Sequence, residues 1–257
     1  MSVVFDLLRG IVLGAVQGLA EFFPVSSSGH LILVPVLFGW PDQGLAFDTV
    51  LHLGTLCALL WYFWADLKAM TLTLALKGLV ATIPAAAIAL IANDWIEANL
   101  RSSMVVAFNL VAWGIVLFAA DRFSEKGKPE SDLTKLTWKQ ALAVGCAQPL
   151  ALIPGTSRSG ITISAGLFSG LSRASAARFS FLISIPITAL AGLHGVYEIT
   201  KIGLPSGGFV LLGAGFLSAL LFGSFAIRFL LSFVAKRRYD GFVIYRFILA
   251  CVVTILA

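Results

Sequence analysis

Two polar segments, each set in strongly apolar sequence, contain the side chains best suited to chemistry. The first is residues 22–30 (FFPVSSSGH), which closely follow Gln17 and Glu21. These two are four residues apart and so share one face of a helix. The second is residues 153–160 (IPGTSRSG), which contain Arg158. A carboxylate and a guanidinium are costly inside apolar segments and usually functional there, and this set favours the chemistry of an anionic group such as phosphate.

The first polar segment opens a short apolar helix. Serine is an ordinary N-cap residue, and capping is the simpler interpretation of any one serine here. Together, however, the segment places hydroxyls, backbone N–H groups and an imidazole at the positive end of a helix, which favours anion binding. The residues of this group are Ser26, Ser27, Ser28, Gly29 and His30. We expect the turn to fold His30 back towards Glu21.

The guanidinium of Arg158 is predicted to lie near the middle of the membrane, because apolar sequence flanks it on both sides. An unpaired guanidinium is expensive there, and its forked donors suit a phosphate or a carboxylate. Two compatible interpretations stay open, namely substrate binding by Arg158 and a structural ion pair with Glu21 that opens for substrate. The neighbours expected to contact the same anion are Thr156, Ser157, Ser159 and Gly160.

The composition indicates that these segments lie in a membrane. Of the 257 residues, 59% are hydrophobic and only 12% are charged, and the mean hydropathy is +0.95. Soluble domains carry about 25% charged residues, so an ordinary soluble enzyme, a disordered protein and a nucleic-acid-binding protein are excluded. The net charge of +5 comes largely from basic residues between apolar runs, which is how membrane topology is encoded. We predict an all-α integral membrane protein.

Six apolar segments approach the roughly 20 residues that a membrane crossing needs. They are residues 46–65, 70–92, 103–120, 174–199, 208–235 and 241–257. Residues 31–40 and 161–171 are also apolar, but roughly ten helical residues reach only about halfway across. Each short piece follows one of the polar segments, and irregular backbone is tolerated at membrane depth only when it is buried in protein or lines a water-filled cavity. We therefore expect six transmembrane helices plus two re-entrant helical hairpins around one cavity.

The basic residues predict the orientation of the chain. The richer side holds Lys68, Arg122, Lys126, Lys128, Lys135, Lys139, Arg173, Arg178, Lys236, Arg237 and Arg238. The opposite side holds only Arg9, Arg101 and Lys201. The positive-inside rule places the richer side in the cytoplasm and both termini outside. The first hairpin would then enter from outside and the second from inside.

A weak internal repeat relates the two polar segments at an offset of 131 residues. It superimposes Gln17 on Gln148, Ser26 on Ser157, Ser28 on Ser159 and Gly29 on Gly160. Because the two copies are predicted to enter from opposite faces, we expect an inverted repeat whose site lies where the broken elements meet. The expected organisation is one membrane domain, residues 1–257, with repeat halves of about 1–125 and 135–257.

The two motifs resemble the signatures of the undecaprenyl-diphosphate phosphatase family, also called the bacitracin-resistance protein family. Residues 17–33 (QGLAEFFPVSSSGHLIL) resemble its first signature, and residues 151–164 (ALIPGTSRSGITIS) resemble its second. Residues 47–55 and 179–187 are similar to further segments, so the resemblance covers essentially the whole chain. It implies a multi-pass hydrolase of the bacterial inner membrane. Such an enzyme would remove the terminal phosphate of undecaprenyl diphosphate on the periplasmic face and regenerate the carrier lipid for peptidoglycan synthesis.

The resemblance also implies roles for individual residues. The catalytic set would be Glu21, Ser27, His30 and Arg158, with the other serines, threonine and glycines of both motifs binding phosphate. A divalent cation, Mg²⁺ or Ca²⁺, would be held by Glu21 and Gln17. Glutamine offers an oxygen to a hard cation but no charge, so metal affinity is expected to be weaker than with glutamate. Whether Ser27, His30 or water is the nucleophile stays open.

Other functions are also compatible with parts of the sequence. Ser28-Gly29-His30 is similar to an element of the phosphatidic-acid phosphatase type 2 superfamily, but Ser164 stands where its later histidine would be needed. A transporter or flippase of polyprenyl phosphate would also use inverted repeats and a midplane site. A purely structural subunit does not explain two polar turns at depth. The expected partners are a polyprenyl diphosphate and membrane lipid, and the oligomeric state stays open.

Overall fold

The regular structure of this chain is helical. The computed structural model describes residues 3–41, 43–100, 102–125, 129–202 and 208–256. Three residues of the charge pattern, Arg101, Lys126 and Lys128, lie outside the described residues. Within those residues the secondary structure consists of helices and one isolated bridge between two loops. The predicted all-α fold class is therefore confirmed.

The helices follow one another through short connections. Those of the first half are α1 (Val3–Phe22), α2 (Ser27–Phe38), α3 (Gly44–Tyr62), α4 (Trp64–Ala69), α5 (Leu72–Leu100) and α6 (Ser103–Ser124). Those of the second half are α7 (Trp138–Ala147), α8 (Arg158–Phe168), α9 (Arg173–Ile202), α10 (Gly208–Val234) and α11 (Asp240–Leu256). Short 3₁₀ helices at Leu133–Lys135 and Gln148–Leu152 flank α7.

The described helices that could cross a membrane differ in part from the predicted spans. Five are long and apolar enough, namely Val3–Phe22, Leu72–Ala92, Ser103–Ser124, Arg173–Lys201 and Gly208–Val234. The last four match predicted spans. The predicted span 46–65 is instead cut short, because α3 ends at Tyr62 and the chain turns into α4. The predicted span 241–257 corresponds to α11, which has 17 residues. Conversely, α1 is not among the six predicted spans, but it has 20 residues and is long enough to cross.

The helix packing pairs elements of one half of the chain with elements of the other. Helix α1 lies along α10, and α7 lies along α5. Helix α3 packs on α10, and α9 packs on α5. Helices α3 and α9 contact each other, as do α6 and α11. These six contacts are preserved when α1 is exchanged with α7, α3 with α9, α5 with α10 and α6 with α11.

Small residues let α1 and α10 approach closely. Gly10, Gly14 and Gly18 lie one turn apart on the face of α1 that contacts α10. A Cβ atom on Gly18 would lie 2.7 Å from the backbone nitrogen of Gly223 and 2.8 Å from the carbonyl oxygen of Ala219. Close backbone contact is the usual role of small residues spaced four apart in membrane helices. The contact fixes α1, and with it Glu21 near its C-terminal end.

Substituting Gly18 with alanine is therefore expected to destabilise the protein. The added methyl group meets α10 backbone that cannot move aside, and overpacking of this kind costs about 1–3 kcal/mol. Gly213 is the matched control on α10, because a Cβ there meets nothing within 4 Å. Alanine is a better helix former than glycine by about 1 kcal/mol, so Gly213→Ala should leave the thermal midpoint in detergent unchanged or raised. A Gly18→Ala midpoint equal to that of wild type would contradict the close contact.

Ion pairs join several connections at one end of the helices. The pairs are Arg122–Asp240, Arg173–Asp121, Arg173–Glu125, Arg178–Asp66 and Arg238–Glu125. Hydrogen bonds from Arg173 and then Arg238 lower the pKa of Glu125, which therefore stays charged at neutral pH. The charge pattern predicted that these arginines share one side of the membrane, and the structure brings them together.

Candidate active site

The two polar segments form similar backbone turns. Ser26 has a φ of 74° and Ser157 a φ of 73°, and they are the non-glycine residues with positive φ in the described part of the chain. Each directly precedes a helix, Ser26 before α2 and Ser157 before α8. A left-handed conformation is strained for an L-residue with a side chain, and such strain clusters at functional sites. Ser26 and Ser157 are also superimposed by the internal repeat, whose two copies are offset by 131 residues.

The serine side chains repeat the same arrangement in the two turns. The Ser26 and Ser28 hydroxyl oxygens lie 3.2 Å apart, as do those of Ser157 and Ser159. In the second turn, Ser157 Oγ also accepts a hydrogen bond of 3.2 Å from the backbone N–H of Gly160 and so caps α8. The first turn of a helix leaves backbone N–H groups without helical partners. Each turn therefore presents hydroxyls beside a positive helix end.

The carboxylate of Glu21 joins the two turns. Its Oε1 accepts a hydrogen bond of 2.6 Å from Arg158 Nη2. Its Oε2 accepts hydrogen bonds from Ser27 Oγ at 2.8 Å and from Gln17 Nε2 at 3.1 Å. The Glu21 side chain is 8% exposed and that of Arg158 is 15% exposed, so water screens their attraction only weakly. The structure thus contains the Glu21–Arg158 pair that the sequence left as one of two interpretations.

A second contact fixes the turns against each other. Ser159 Oγ donates a hydrogen bond of 3.0 Å to the carbonyl oxygen of Phe23. Behind the second turn, Asn109 Nδ2 on α6 donates to the carbonyl oxygen of Pro154 at 3.1 Å. Gly155 has a φ of +87°, and a Cβ there would lie 2.9 Å from the Cα of Val106, so this position requires glycine. The turns therefore meet in a fixed geometry.

His30 does not turn back towards Glu21 as expected. Its Nε2 lies 2.6 Å from the hydroxyl oxygen of Tyr245, and its Nδ1 lies 2.7 Å from the carbonyl oxygen of Ser26. The reason is the helical start at Ser27, which directs residue 30 towards α11 while Ser27 takes the place beside the carboxylate. Both ring nitrogens are engaged, so His30 supports the first turn in this structure.

The structure adds His52 to the site. His52 is not among the predicted site residues, because a polar residue near the start of an apolar segment is ordinarily an interfacial helix cap. It lies within α3 instead, and its Nε2 is 3.7 Å from Glu21 Oε2. Its Nδ1 lies 2.8 Å from the carbonyl oxygen of Asp48. The spacing of Asp48 and His52, four residues apart, was the available signal, but nothing in it pointed to Glu21.

An apolar groove of about 500 Å³ reaches the first turn from the side. Phenylalanines of α10 and α11 line it, together with Leu19 of α1 and Phe23 just after that helix. Val25 and His30 of the first polar segment also line it. The groove therefore connects aromatic side chains of α10 and α11 to the turn that holds Ser26 and Ser27.

Residues 10–252 of the chain match the family described as bacitracin resistance protein BacA. The chain is 43% identical over 266 residues to undecaprenyl-diphosphatase 2 of Stutzerimonas stutzeri, with 98% of each protein covered. It is 45% identical to the undecaprenyl-diphosphatase of Hahella chejuensis, covering 94% of this chain and 95% of that protein. It is 44% identical to the undecaprenyl-diphosphatase of Thioalkalivibrio sulfidiphilus, covering 95% and 96%. The chain belongs to the bacitracin resistance protein family. The family predicted from the two motifs is confirmed.

In this member of the bacitracin resistance protein family, each of the two motifs contains a buried polar atom that lacks a hydrogen-bond partner among the described residues. Gln17 is fully buried, and its Oε1 has no hydrogen-bond partner among the described residues. The same is true of Thr156 Oγ1, whose side chain is also fully buried. Buried polar atoms without partners are costly. These two atoms are therefore available to a ligand or a cation.

The oxygen donors of this site fit a hard divalent cation. Gln17 Oε1 and the Glu21 carboxylate are ligands that Mg²⁺ and Ca²⁺ accept, and Mg²⁺ typically binds one or two protein oxygens plus phosphate oxygens and water. Groups of three or more His, Cys, Asp or Glu side chains able to hold a metal are absent from the described residues. This donor set suits a cation that is shared with a phosphate ligand.

Proposed function

We propose that the protein hydrolyses the terminal phosphate of undecaprenyl diphosphate and so regenerates the undecaprenyl phosphate carrier for cell-wall synthesis. The single observation that carries the proposal is the meeting of the two motifs at Glu21. The hydroxyl of Ser27 and the guanidinium of Arg158 both lie within hydrogen-bond distance of its carboxylate. Family membership and the names of the three relatives support the same substrate.

The guanidinium and the two helix ends fit the charge of a diphosphate. Phosphoryl transfer depends mainly on positioning and on stabilising the charge of the transferred group. Arg158 exchanges its contact with Glu21 for the terminal phosphate, to which it offers forked donors. The same phosphate is surrounded by hydroxyls and backbone N–H groups of both turns. The hydroxyls are those of Ser26, Ser28, Ser157 and Ser159, with the unpartnered Thr156 Oγ1, and the N–H groups are those near Gly29 and Gly160.

Ser27 is the proposed nucleophile. Its hydroxyl already donates to Glu21 Oε2 at 2.8 Å, so the carboxylate is placed to take the proton as Ser27 Oγ bonds to the terminal phosphorus. The bond from that phosphorus to the bridging oxygen breaks, and undecaprenyl phosphate leaves with the electron pair. Glu21 passes the proton it took from Ser27 to the leaving phosphate, which restores the carboxylate. Glu21 then takes a proton from a water molecule as that water bonds to the phosphorus of the phosphoserine. The bond from phosphorus to Ser27 Oγ breaks, Glu21 returns this proton to Ser27 Oγ, and inorganic phosphate is released. His30 positions this turn, since Tyr245 and the Ser26 carbonyl engage its ring.

A divalent cation, Mg²⁺ or Ca²⁺, belongs to this proposal. Gln17 Oε1 and Glu21 would hold it, and its chemistry would be to offset phosphate charge. Because Gln17 brings no charge, we expect the cation to bind only weakly without the diphosphate.

The apolar groove is the proposed position of the isoprenoid chain. Val25 and His30 line it next to the turn that holds the nucleophile, and its other walls are mainly apolar side chains of α1, α10 and α11. A substrate with a long hydrocarbon chain and a charged head group matches a groove of this kind. The chain can stay in the membrane while the diphosphate enters the polar site.

The proposed arrangement in the membrane is an inverted repeat in the bacterial inner membrane, with the site open to the periplasm. Two observations support the repeat. Contacts between helices of the two halves are preserved when corresponding helices are exchanged, and Ser26 and Ser157 have nearly the same positive φ. The positive-inside rule supports the orientation. In this arrangement α1–α2 and α7–α8, the latter including the 3₁₀ helix Gln148–Leu152, form the two re-entrant hairpins. The remaining long helices and α11 cross the membrane within one domain.

The transporter alternative is not supported. Each of the three relatives is named for a diphosphatase activity. The structure also places a hydroxyl beside a carboxylate, which a carrier does not require. Membership of the bacitracin resistance protein family likewise disfavours the phosphatidic-acid phosphatase alternative.

Phosphate release by the purified protein tests the proposed function. In detergent with Mg²⁺ or Ca²⁺, we expect release of inorganic phosphate from a polyprenyl diphosphate, and loss of that release when EDTA removes the cation. Returning the cation should restore the rate. Folded wild-type protein that releases no phosphate with either cation would overturn the proposal.

The same assay tests the nucleophile. Ser27→Ala should lose nearly all phosphate release, because the reacting oxygen is removed. Ser169→Ala is the matched control, since Ser169 follows the far end of α8 and its hydroxyl donates only to the carbonyl oxygen of Ala165. Full activity in Ser27→Ala would exclude Ser27 as the nucleophile and leave an attacking water.

A further inference from the structure

Arg246 is a fully buried arginine on α11 that lies behind the two polar turns. Its side chain is 0% exposed. Its guanidinium donates to carbonyl oxygens of both turns, to Pro24 at 3.1 Å, Gly155 at 3.0 Å and Thr156 at 3.1 Å. It also donates to two carbonyl oxygens of α6, those of Leu110 and Asn109. One side chain thus binds three parts of the chain that are far apart in sequence.

No carboxylate in the described part of the chain forms an ion pair with Arg246, in contrast to Arg158. An arginine inside a membrane protein is costly unless it is compensated. Five carbonyl dipoles satisfy its hydrogen bonds but supply no full negative charge. A positive charge therefore remains beneath the site, in surroundings where water screens it weakly.

The position of this charge relates it to the proposed phosphate site. A Cβ atom on Gly160 would lie 3.3 Å from Arg246 Nη1, so the guanidinium lies against the first turn of α8. The carbonyl of Thr156 and the N–H of Ser157 belong to one trans peptide unit and point in opposite directions. Holding the Thr156 carbonyl therefore directs the Ser157 N–H away from Arg246. The same contact fixes the residue next to the strained Ser157.

We propose that Arg246 is a positioning residue for the diphosphatase reaction, which holds both serine turns in register and supplies a second positive charge for the diphosphate. This inference rests on the proposed function. Arg246 acts through the turns and does not contact the substrate. Lysine at this position would keep the charge, but its three donors leave a single nitrogen. It can hold fewer of the five carbonyls and lacks the planar fork that spans both turns and α6.

The inference predicts a specific defect in Arg246→Lys. Displacing a reacting group by about 1 Å can cost roughly 100-fold in rate, so we expect kcat to fall by about 10- to 100-fold. The KM for a polyprenyl diphosphate should change much less, because Arg158 and the charge at position 246 remain. The fall should persist when rates are given per folded protein, as measured by thermal unfolding in detergent.

Arg122 provides the matched control. It also joins α6 to α11, through an ion pair of 3.0 Å with Asp240, but it lies at the end of the helices remote from the two turns. Arg122→Lys should therefore leave kcat within about twofold of wild type. Arg246→Met, which also removes the charge, should raise KM as well as lower kcat, and Arg246→Lys should restore part of that KM change.

Two results would overturn the inference. One is an Arg246→Lys enzyme whose kcat stays within about twofold of wild type. The other is a loss of activity that matches the loss of folded protein, which would make the role of Arg246 purely structural. Both differ from failure of the proposed function, in which the wild-type protein itself releases no phosphate.

Discussion

Glu21→Gln is expected to lower the rate of phosphate release by about 1,000-fold, near the middle of the range for loss of a general base. Glutamine has nearly the same size but cannot take the proton of Ser27, whose hydroxyl donates to Glu21 Oε2. It also removes the charge that holds Arg158 in place. The rate with a polyprenyl diphosphate, measured per folded protein, checks this prediction.

Glu130→Gln is the control for this substitution. Glu130 is a glutamate outside the site, and its carboxylate accepts a hydrogen bond from the backbone N–H of Asp132. Loss of the Glu130 carboxylate should change the rate of phosphate release by less than twofold. An active Glu21→Gln enzyme would show that the carboxylate is neither the base nor needed to position Arg158 and Ser27.

Arg158→Met is expected to have the second large effect, a fall of about 10³- to 10⁵-fold in the rate of phosphate release. This is the usual contribution of an arginine that stabilises phosphoryl transfer. Arg158→Lys should recover only part of this loss, since lysine keeps the charge but loses the fork that matches phosphate. We expect KM to rise in both variants, because the same guanidinium binds the ground-state diphosphate. Steady-state kinetics over a range of substrate concentrations would separate the two effects.

Arg178→Met is the matched control for Arg158. Arg178 forms an ion pair with Asp66, and both side chains are 41% exposed. Exposed pairs of this kind contribute only about 0–1 kcal/mol to stability. Its loss should leave phosphate release unchanged. Equal losses in Arg158→Met and Arg178→Met would indicate a general effect of removing arginine.

Much of the site follows from the sequence because charge in a membrane is costly. The expense of an unpaired Arg158 between apolar segments pointed to an anionic partner, and Glu21 was the candidate in the other motif. The serines beside short apolar helices likewise predicted turns at helix N-termini. These predictions rely on local sequence and on the solvation of charges, both of which are visible without a structure.

The remaining features depend on packing between distant parts of the chain. Arg246 and Tyr245 are single polar residues near the start of an apolar segment, and only the contact of α11 with α6 brings them behind the turns. His52 reaches Glu21 because of the way α1 and α3 pack together. The early end of α3 at Tyr62 also has no strong signal, since the sequence stays apolar beyond it. No residue spacing within one segment encodes such contacts.

The central claim is that Glu21 and Arg158, from the two polar segments, act as one catalytic unit. A double-mutant cycle in phosphate release, with Glu21→Gln, Arg158→Met and the double variant, tests it most directly. Residues that act as a unit have strongly non-additive effects, so the double variant should be about as slow as the slower single variant. Losses that multiply, with the double variant slower by the product of the two single effects, would contradict the claim and place the residues in independent roles.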